Sequence, residues 1–388
     1  MTSENTFISK VKCIVLALLP VLGMYHYLAG ISLGLFILLL FVPIDFIFGK
    51  GQWKMNWNII GLVSVFIIVN IFSYHINYKH IQYQAFINNL LYLLFFMLIS
   101  SYYTSKEINV AFFEKVLLFL GVAFSIIVLI QAFNFLIRHE SISFLLPLET
   151  DLEENVDSIQ FNGRPNSVFQ EPAHFAIFMI PLLYNVLSKK KVWLTVLFTV
   201  SIFLSTSTYG LMLTLIIYLI YALRNKNGKI YFFLILIFCA LLFFFFYDFF
   251  QAVLDTNINK TQESMDLTGN TRFMGGIESV EFMDFFQHLL GIGYNQTKDF
   301  MEWHYLAGAS NYSNSFLFSF YAGGLVGFLA LLYFLKKTYK INIDKIYFLI
   351  FFLTLLTDQI IFNQNFLYLL FVIYFIKPNY NENSPSDK

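Results

Sequence analysis

Apolar runs of membrane-spanning length, separated by brief polar punctuation, dominate this chain. A crossing helix needs roughly 20 predominantly apolar residues. The pattern predicts about twelve of them, over 12–29, 31–48, 57–74, 84–103, 112–137, 173–188, 191–206, 208–223, 229–250, 311–335, 343–357 and 359–376. Two junctions are very short. The run from Val192 to Leu223 is too long for one span and is broken by Ser205-Thr206-Ser207-Thr208-Tyr209-Gly210, which reads as a tight turn at one surface. Only Thr357-Asp358-Gln359 separates the last two runs. Either pair is compatible with a re-entrant hairpin in place of two crossings. Two connections, 138–172 and 251–310, are far longer than the others, and long connections with their own sequence character are usually functional.

Composition turns this pattern into a class. Hydrophobic residues make up 58% of the chain and charged residues 12%, against roughly 25% charged in a soluble domain. The expected fold is an all-α polytopic membrane protein, a single integral membrane domain over 1–388. The formal net charge of zero gives no reason to expect a polyanionic partner such as nucleic acid. Cys13 and Cys239 both lie in apolar segments and form neither a disulfide framework nor a zinc spacing. The N-terminal segment lacks a small-residue cleavage site, so it is expected to be a retained anchor.

Lysine and arginine set the orientation. With the N-terminus in the cytoplasm and strict alternation, inner segments carry 18 of the 24 basic residues. The outer ones carry Lys79, Arg138, Arg164, Lys260, Arg272 and Lys298. Both termini are then cytoplasmic and both long connections face outward. Dropping a single span would invert everything downstream.

Arginine is scarce: only Arg138, Arg164, Arg224 and Arg272, three of them on the two outer loops. A guanidinium forks onto two phosphate oxygens at once, and a lipid-linked diphosphate would present its headgroup near this depth. Arg164 and Arg272 are the candidate diphosphate ligands. The plainer alternative is an interfacial arginine paired with the acidic stretch Glu149, Asp151, Glu153, Glu154 and Asp157, and Arg138, directly after a span, suits that alternative best. Glu171 and His174 stand three apart at a helix start with Pro172 in its first turn. They are either a general base with its neighbour or an ordinary helix beginning. His304 lies in Glu302-Trp303-His304-Tyr305, where aromatics either stack on sugar rings or form an interfacial belt. Asn166, Ser167 and Asn314 are candidate sugar ligands, although Asn314 and Ser315 also suit a helix cap. In the second loop Phe273, Ile277, Val280 and Met283 fall at helical spacing, followed by a turn at Gly291 and Gly293. There is no phosphate-binding loop, no dinucleotide fingerprint and no soluble aspartate pair for a nucleotide sugar. Ionisable residues deep in the spans are few, and Asp45, Asp248 and Asp358 lie near span ends. That scarcity and the lack of an internal repeat weigh against a transporter.

The segment Arg164-Pro165-Asn166-Ser167-Val168-Phe169-Gln170-Glu171-Pro172-Ala173-His174-Phe175 resembles the Arg…Ser…Phe…Glu-Pro segment of the O-antigen polymerase (Wzy) family. Arg272, Leu290-Gly291-Ile292-Gly293-Tyr294, Asn314-Ser315-Phe316-Leu317 and Gly323-Gly324-Leu325-Val326-Gly327 resemble that family's second outer loop and exit helix. The resemblance covers 138–335 in pattern and nearly the whole chain in layout. O-antigen ligases share the long outer loop, but many have a histidine where this chain has Asn314.

The resemblance implies a glycosyltransferase of the bacterial plasma (inner) membrane. Its active site would face the periplasm or the cell exterior. It would move a growing glycan from polyprenyl diphosphate onto the sugar of a new lipid-linked repeat unit. Arg164 and Arg272 would stabilise the leaving diphosphate, and Glu171, or His304, would accept the hydroxyl proton. The partners implied are the lipid-linked donor and acceptor, membrane lipids and a chain-length regulator. The scheme requires no metal and no cofactor. A ligase and a flippase for lipid-linked oligosaccharide are the competing functions.

Overall fold

A computed structural model describes residues 7–28, 31–48, 54–77, 81–105, 108–138, 140, 142–145, 164–224, 280–304, 314–341 and 344–376, with isolated positions between 233 and 251. The chain is mostly helical, as a membrane protein of this composition should be. Among the described residues, four helices are long and apolar enough to cross a membrane: Trp57–Asn77, Tyr83–Ser105, Val110–Arg138 and Ser315–Ile341. The expected span at 229–250 lies, isolated positions apart, outside the described residues.

The chain divides into two compact units, residues 1–109 with 260–374, and residues 110–259 with 375–388. In the first unit, α1 (Phe7–Leu22) and α2 (Leu33–Phe48) are joined by a small antiparallel pair, β1 (His26–Leu28) and β2 (Ile31–Ser32), the only sheet among the described residues. Lys12 of α1 is ion-paired with Asp45 of α2, and the Tyr102 hydroxyl donates to the same carboxylate at 2.9 Å. The buried charge near the end of α2 is thereby neutralised, as burial of a carboxylate demands. Helices α3 (Trp57–Asn77) and α4 (Tyr83–Ser105) follow.

The second unit contains α5 (Val110–Arg138), α6 (Pro172–Ser188), α7 (Val192–Leu204) and α8 (Thr208–Arg224). Helix α5 is hydrophobic all round. Phe113, Leu117, Phe124 and Val128 are buried, while Phe119, Ile126, Ile130, Phe133 and Ile137 are exposed. In water such a face would be a large apolar patch; in lipid it is the natural outer surface. Ser125 and Ser201 share a hydrogen bond at 3.0 Å between α5 and α7, and Thr199 and Tyr218 share one at 2.6 Å between α7 and α8. Such pairs join helices where hydrophobic driving force is weak.

The remainder of the first unit is α9 (Phe285–Leu290), α10 (Thr297–Trp303), α11 (Ser315–Ile341), α12 (Lys345–Thr357) and α13 (Gln364–Phe375), whose last residue falls in the second unit. The helical spacing from Phe273 to Met283 falls mostly outside the described residues; Val280 is helical, a turn follows, and α9 then starts at Phe285, where Asp284 forms a capping box with Gln287. Met283 is buried with Ile292, Phe300 and Tyr321, and Val280 packs against them. Phe273, Ile277 and Glu278 lie outside the described residues.

Among the described residues, six apolar helices are shorter than a crossing requires. Helices α7 and α12 have 13 residues each and α13 has 12, so they rise only about 18–20 Å, well short of a hydrocarbon core of about 30 Å. The turns that end them must therefore satisfy their own backbone groups. In the turn after α7, Ser205, Thr206 and Ser207 are all buried within the protein. The turn after α12 is tied to the start of α11. The Ser315 hydroxyl donates to the Asp358 carbonyl at 2.7 Å and accepts from the Ile360 and Ile361 amides at 2.9 and 3.2 Å.

Candidate functional site

The second unit holds Arg164, Asn166, Ser167, Glu171 and His174 in one segment leading into α6. The segment folds back along α5. Gln131, in the apolar second half of α5, lies seven residues before the end of the helix at Arg138, about 10 Å along the axis. Its Oε1 accepts from the amides of Asn166 and Ser167 at 3.2 and 2.7 Å. Its Nε2 donates to the carbonyls of Ile142 and Ser167 and to Asn166 Oδ1, at 3.0, 3.2 and 3.3 Å. Below it, Phe169 is fully buried against Phe124, Phe175 and Phe178, with centroid distances of 5.3, 5.9 and 5.6 Å. An aromatic plug and a polar clamp together fix the segment.

Asn166 and Ser167, expected as sugar ligands, are both buried. Asn166 Nδ2 donates to the carbonyls of Phe169 and Gln170 at 2.7 and 3.2 Å, and the Ser167 hydroxyl donates to the Phe124 carbonyl at 3.0 Å. Their polar atoms hold the segment's own backbone in shape. Ser167 has a φ of 58°, a conformation uncommon outside glycine that costs about 1–3 kcal/mol and persists only where the surroundings impose it.

Arg164 is half-buried and forks onto one residue. Its Nε donates to Thr206 Oγ1 at 3.0 Å and its Nη2 to the Thr206 carbonyl at 2.8 Å. Thr206 has a φ of 54°, an outlier for a β-branched residue. It sits just past the C-terminus of α7, where the helix dipole favours a cation. The guanidinium therefore covers the buried turn between α7 and α8 and is itself held in place. Glu171 is the N-cap residue of α6, with Pro172 behind it, but its carboxylate makes no capping bond and is exposed. His174 is half-buried one turn further on. Arg272 and the acidic stretch from Glu149 to Asp157 lie outside the described residues.

The first unit holds His304 and Asn314. Asn314 is buried and caps α11: its Oδ1 accepts from the amides of Phe316 and Leu317 at 3.1 and 2.9 Å. Of the two roles open to it in the sequence, this geometry is the cap. His304 closes α10, with Nδ1 2.9 Å from the Phe300 carbonyl and its ring packed on Phe300, Trp303 and Phe282 at 4.4, 4.9 and 5.4 Å.

The second loop enters its own bundle. Asn70, Ser73 and Asn77, on one face of α3, take up its polar groups. Ser73 donates to the carbonyls of Leu290 and Gly291 at 3.1 and 2.8 Å. Asn70 Oδ1 accepts the Tyr294 amide at 3.0 Å, and Asn77 Oδ1 accepts from Gln287 Nε2 at 2.8 Å. Gly291 and Gly324 let the loop meet α11 backbone to backbone. A Cβ on Gly291 (φ 78°) would stand 2.6 Å from the backbone of Ala322 and Gly323. One on Gly324 (φ 59°), where α11 is kinked, would stand 2.4 Å from Leu289. Burial, reinforced by the neighbouring Tyr92, holds the Tyr294 phenol well above its ordinary value, so it remains neutral.

Gln131, Thr206 and the α3 amides were not among the residues singled out from sequence. A lone glutamine inside an apolar run and a threonine at a helix break were the available signals. Among the described residues no group of three or more histidine, cysteine or acidic side chains could hold a metal. Compared with known proteins, the chain matches no protein-family model and no curated protein.

Proposed function

We propose that this chain is a membrane glycosyltransferase that polymerises polyprenyl-diphosphate-linked repeat units into O-antigen or a related surface polysaccharide. On this reading it is a multi-pass protein of the bacterial plasma membrane, with both termini cytoplasmic and the site opening outward. Treating α7–α8 and α12–α13 as re-entrant hairpins removes crossings in pairs, so the orientation read from lysine and arginine is kept.

The observation that carries the reading is the preorganised Arg164–Glu171 segment. A half-buried guanidinium is fixed on a strained turn, seven residues before an exposed, uncapped carboxylate at a helix N-terminus. Attack of an acceptor hydroxyl on the anomeric carbon of a diphosphate-linked donor needs two things of the protein. One is a fixed positive charge for the departing diphosphate, and the other is a base for the hydroxyl proton. Arg164 supplies the first and Glu171 the second, with His174 alongside. Arg272, outside the described residues, and His304 keep only the roles of second charge and alternative base that the resemblance implies. Gln131, Asn166 and Ser167 serve by positioning.

The test is the surface-glycan profile of a strain lacking the gene, with and without the gene restored. Collapse of the ladder to core plus one repeat, reversed by complementation, supports polymerisation. Long polymer retained on the carrier lipid would indicate ligation instead, and an unchanged ladder would remove both.

A further inference from the structure

We propose that the end of α11 and the start of α12 form a binding site for the headgroup of an anionic phospholipid. Membrane embedding is its only premise, so it stands apart from the polymerising reading and holds for either orientation of the chain. Helix α11 has 27 residues and rises about 40 Å, more than a hydrocarbon core of about 30 Å. Its last turns therefore reach headgroup depth. They carry Lys336, Lys337 and Lys340, and Lys345 opens α12 just beyond. All of these residues belong to the first unit.

Tyr333, Lys336, Lys337 and Lys340 fall three, four and seven residues apart, so they line one face of α11. The Lys337 ammonium lies 5.3 Å from the centroid of the Tyr333 ring. Lys345 is folded back onto the last turn of α11. Its ammonium donates to the Tyr339 carbonyl and lies 4.0 Å from the centroid of the Tyr339 ring. These cation–π contacts hold two of the charges against the helix. Lys336 and Lys340 are exposed and enter no ion pair among the described residues.

From Ser315 to Thr357 the sequence has one acidic residue, Asp344. It is buried and caps α12, accepting from the Ile346 amide at 2.9 Å. Helix α3, which packs along α11, has no acidic residue. Four ammoniums beside one buried carboxylate leave a net positive patch that an anion completes. The same helix supplies the rest of a lipid site. Tyr333 and Tyr339 are 60% and 47% exposed, and Leu325, Val326, Leu329 and Leu332 are exposed in the turns before them. Apolar side chains, then tyrosines, then lysines follow one another along α11, in the order of acyl chain, interface and phosphate in a phospholipid. A soluble phosphate would use the lysines alone; the exposed apolar strip leading up to them selects a lipid.

The test is native mass spectrometry of purified full-length protein in detergent. The protein is titrated with phosphatidylglycerol, with phosphatidylcholine of the same acyl chains, and with glycerol phosphate, a headgroup without tails. The site predicts saturable retention of phosphatidylglycerol, with the other two bound more weakly by about tenfold or more. A lysine near anionic lipid is worth about fivefold in affinity. Joint replacement by Lys336→Gln and Lys340→Gln should therefore weaken phosphatidylglycerol binding by about 25-fold. Both side chains are exposed, so folding is not at stake. Lys115→Gln with Lys191→Gln removes the same charge from exposed positions in the second unit and should leave binding unchanged.

Equal retention of phosphatidylcholine overturns the site, because the face would then hold acyl chains without reading a headgroup. Equal binding of glycerol phosphate overturns it too, since the lysines would then be a patch for soluble anions. Equal weakening by the second-unit pair shows that the lysines act through net charge alone, and also overturns it. None of these outcomes depends on whether loss of the gene collapses the glycan ladder, so the lipid site and the polymerase reading fail separately.

Discussion

Replacing Gln131 by leucine isolates what holds the Arg164 segment. The side chain is 5% exposed and accepts from two backbone amides, Asn166 at 3.2 Å and Ser167 at 2.7 Å, while donating to the Ser167 and Ile142 carbonyls. Leucine fills similar volume but leaves both amides without a partner. An orphaned buried donor costs about 1–3 kcal/mol, so two cost about 2–6 kcal/mol. At 1.4 kcal/mol per decade, that raises opening of the segment by roughly 30-fold to 20,000-fold.

Hydrogen–deuterium exchange read by mass spectrometry on a peptide covering 164–171, in nanodiscs, measures this directly. Exchange at Asn166 and Ser167 should accelerate within that range, with peptides from α3 and α4 unchanged. Gln131→Glu, which keeps the acceptor oxygens, should fall between leucine and the parent. Exchange in Gln131→Leu within about threefold of the parent would refute the clamp, since it would place the loss under the ~1 kcal/mol floor for a single donor. A loosened clamp should also lower polymer length without any change to Arg164 or Glu171, because a misplaced reacting group is costly even when the group is intact.

Arg164→Lys keeps the charge but cannot fork onto both oxygens of Thr206 or of a diphosphate. A loss of about 2.7–4 kcal/mol, or 100- to 1000-fold in polymerisation, is expected, read as ladder length at matched membrane abundance. Gly291→Ala drives a Cβ to 2.6 Å from the α11 backbone and should abolish a monodisperse size-exclusion peak. Gly61→Ala, with nothing within 4 Å, should stabilise by about 0.5–1 kcal/mol on helix propensity alone. Asn314→Asp keeps the cap on α11 and should melt like the parent, whereas Asn314→Leu should lose about 1 kcal/mol in a thermal unfolding assay.

Most of the helices were legible in the sequence, because uninterrupted apolarity and a few Ser, Thr and Asp breaks leave the backbone little choice in lipid. The break at Ser205–Gly210 and the turn at Gly291–Gly293 were visible for the same reason: left-handed φ and local side-chain bonding have a residue signature. Membership of a membrane class followed from composition alone, since 58% hydrophobic residues cannot be hidden in a core of this size.

What each polar residue does was decided by tertiary structure. Asn166, Ser167 and Asn314 looked like outward-facing ligands because asparagine and serine at a loop end serve equally well as ligands or as caps. Only folding showed their atoms engaged with nearby backbone. Arg164 was recognisable as unusual by its rarity, but its grip on Thr206, 42 positions along the chain, has no local signature. Gln131 was invisible within α5, since its partners arrive from a segment 35 positions later. Sequence periodicity specifies which face of a helix is apolar; which polar atoms are left for a substrate depends on what the rest of the chain has already satisfied.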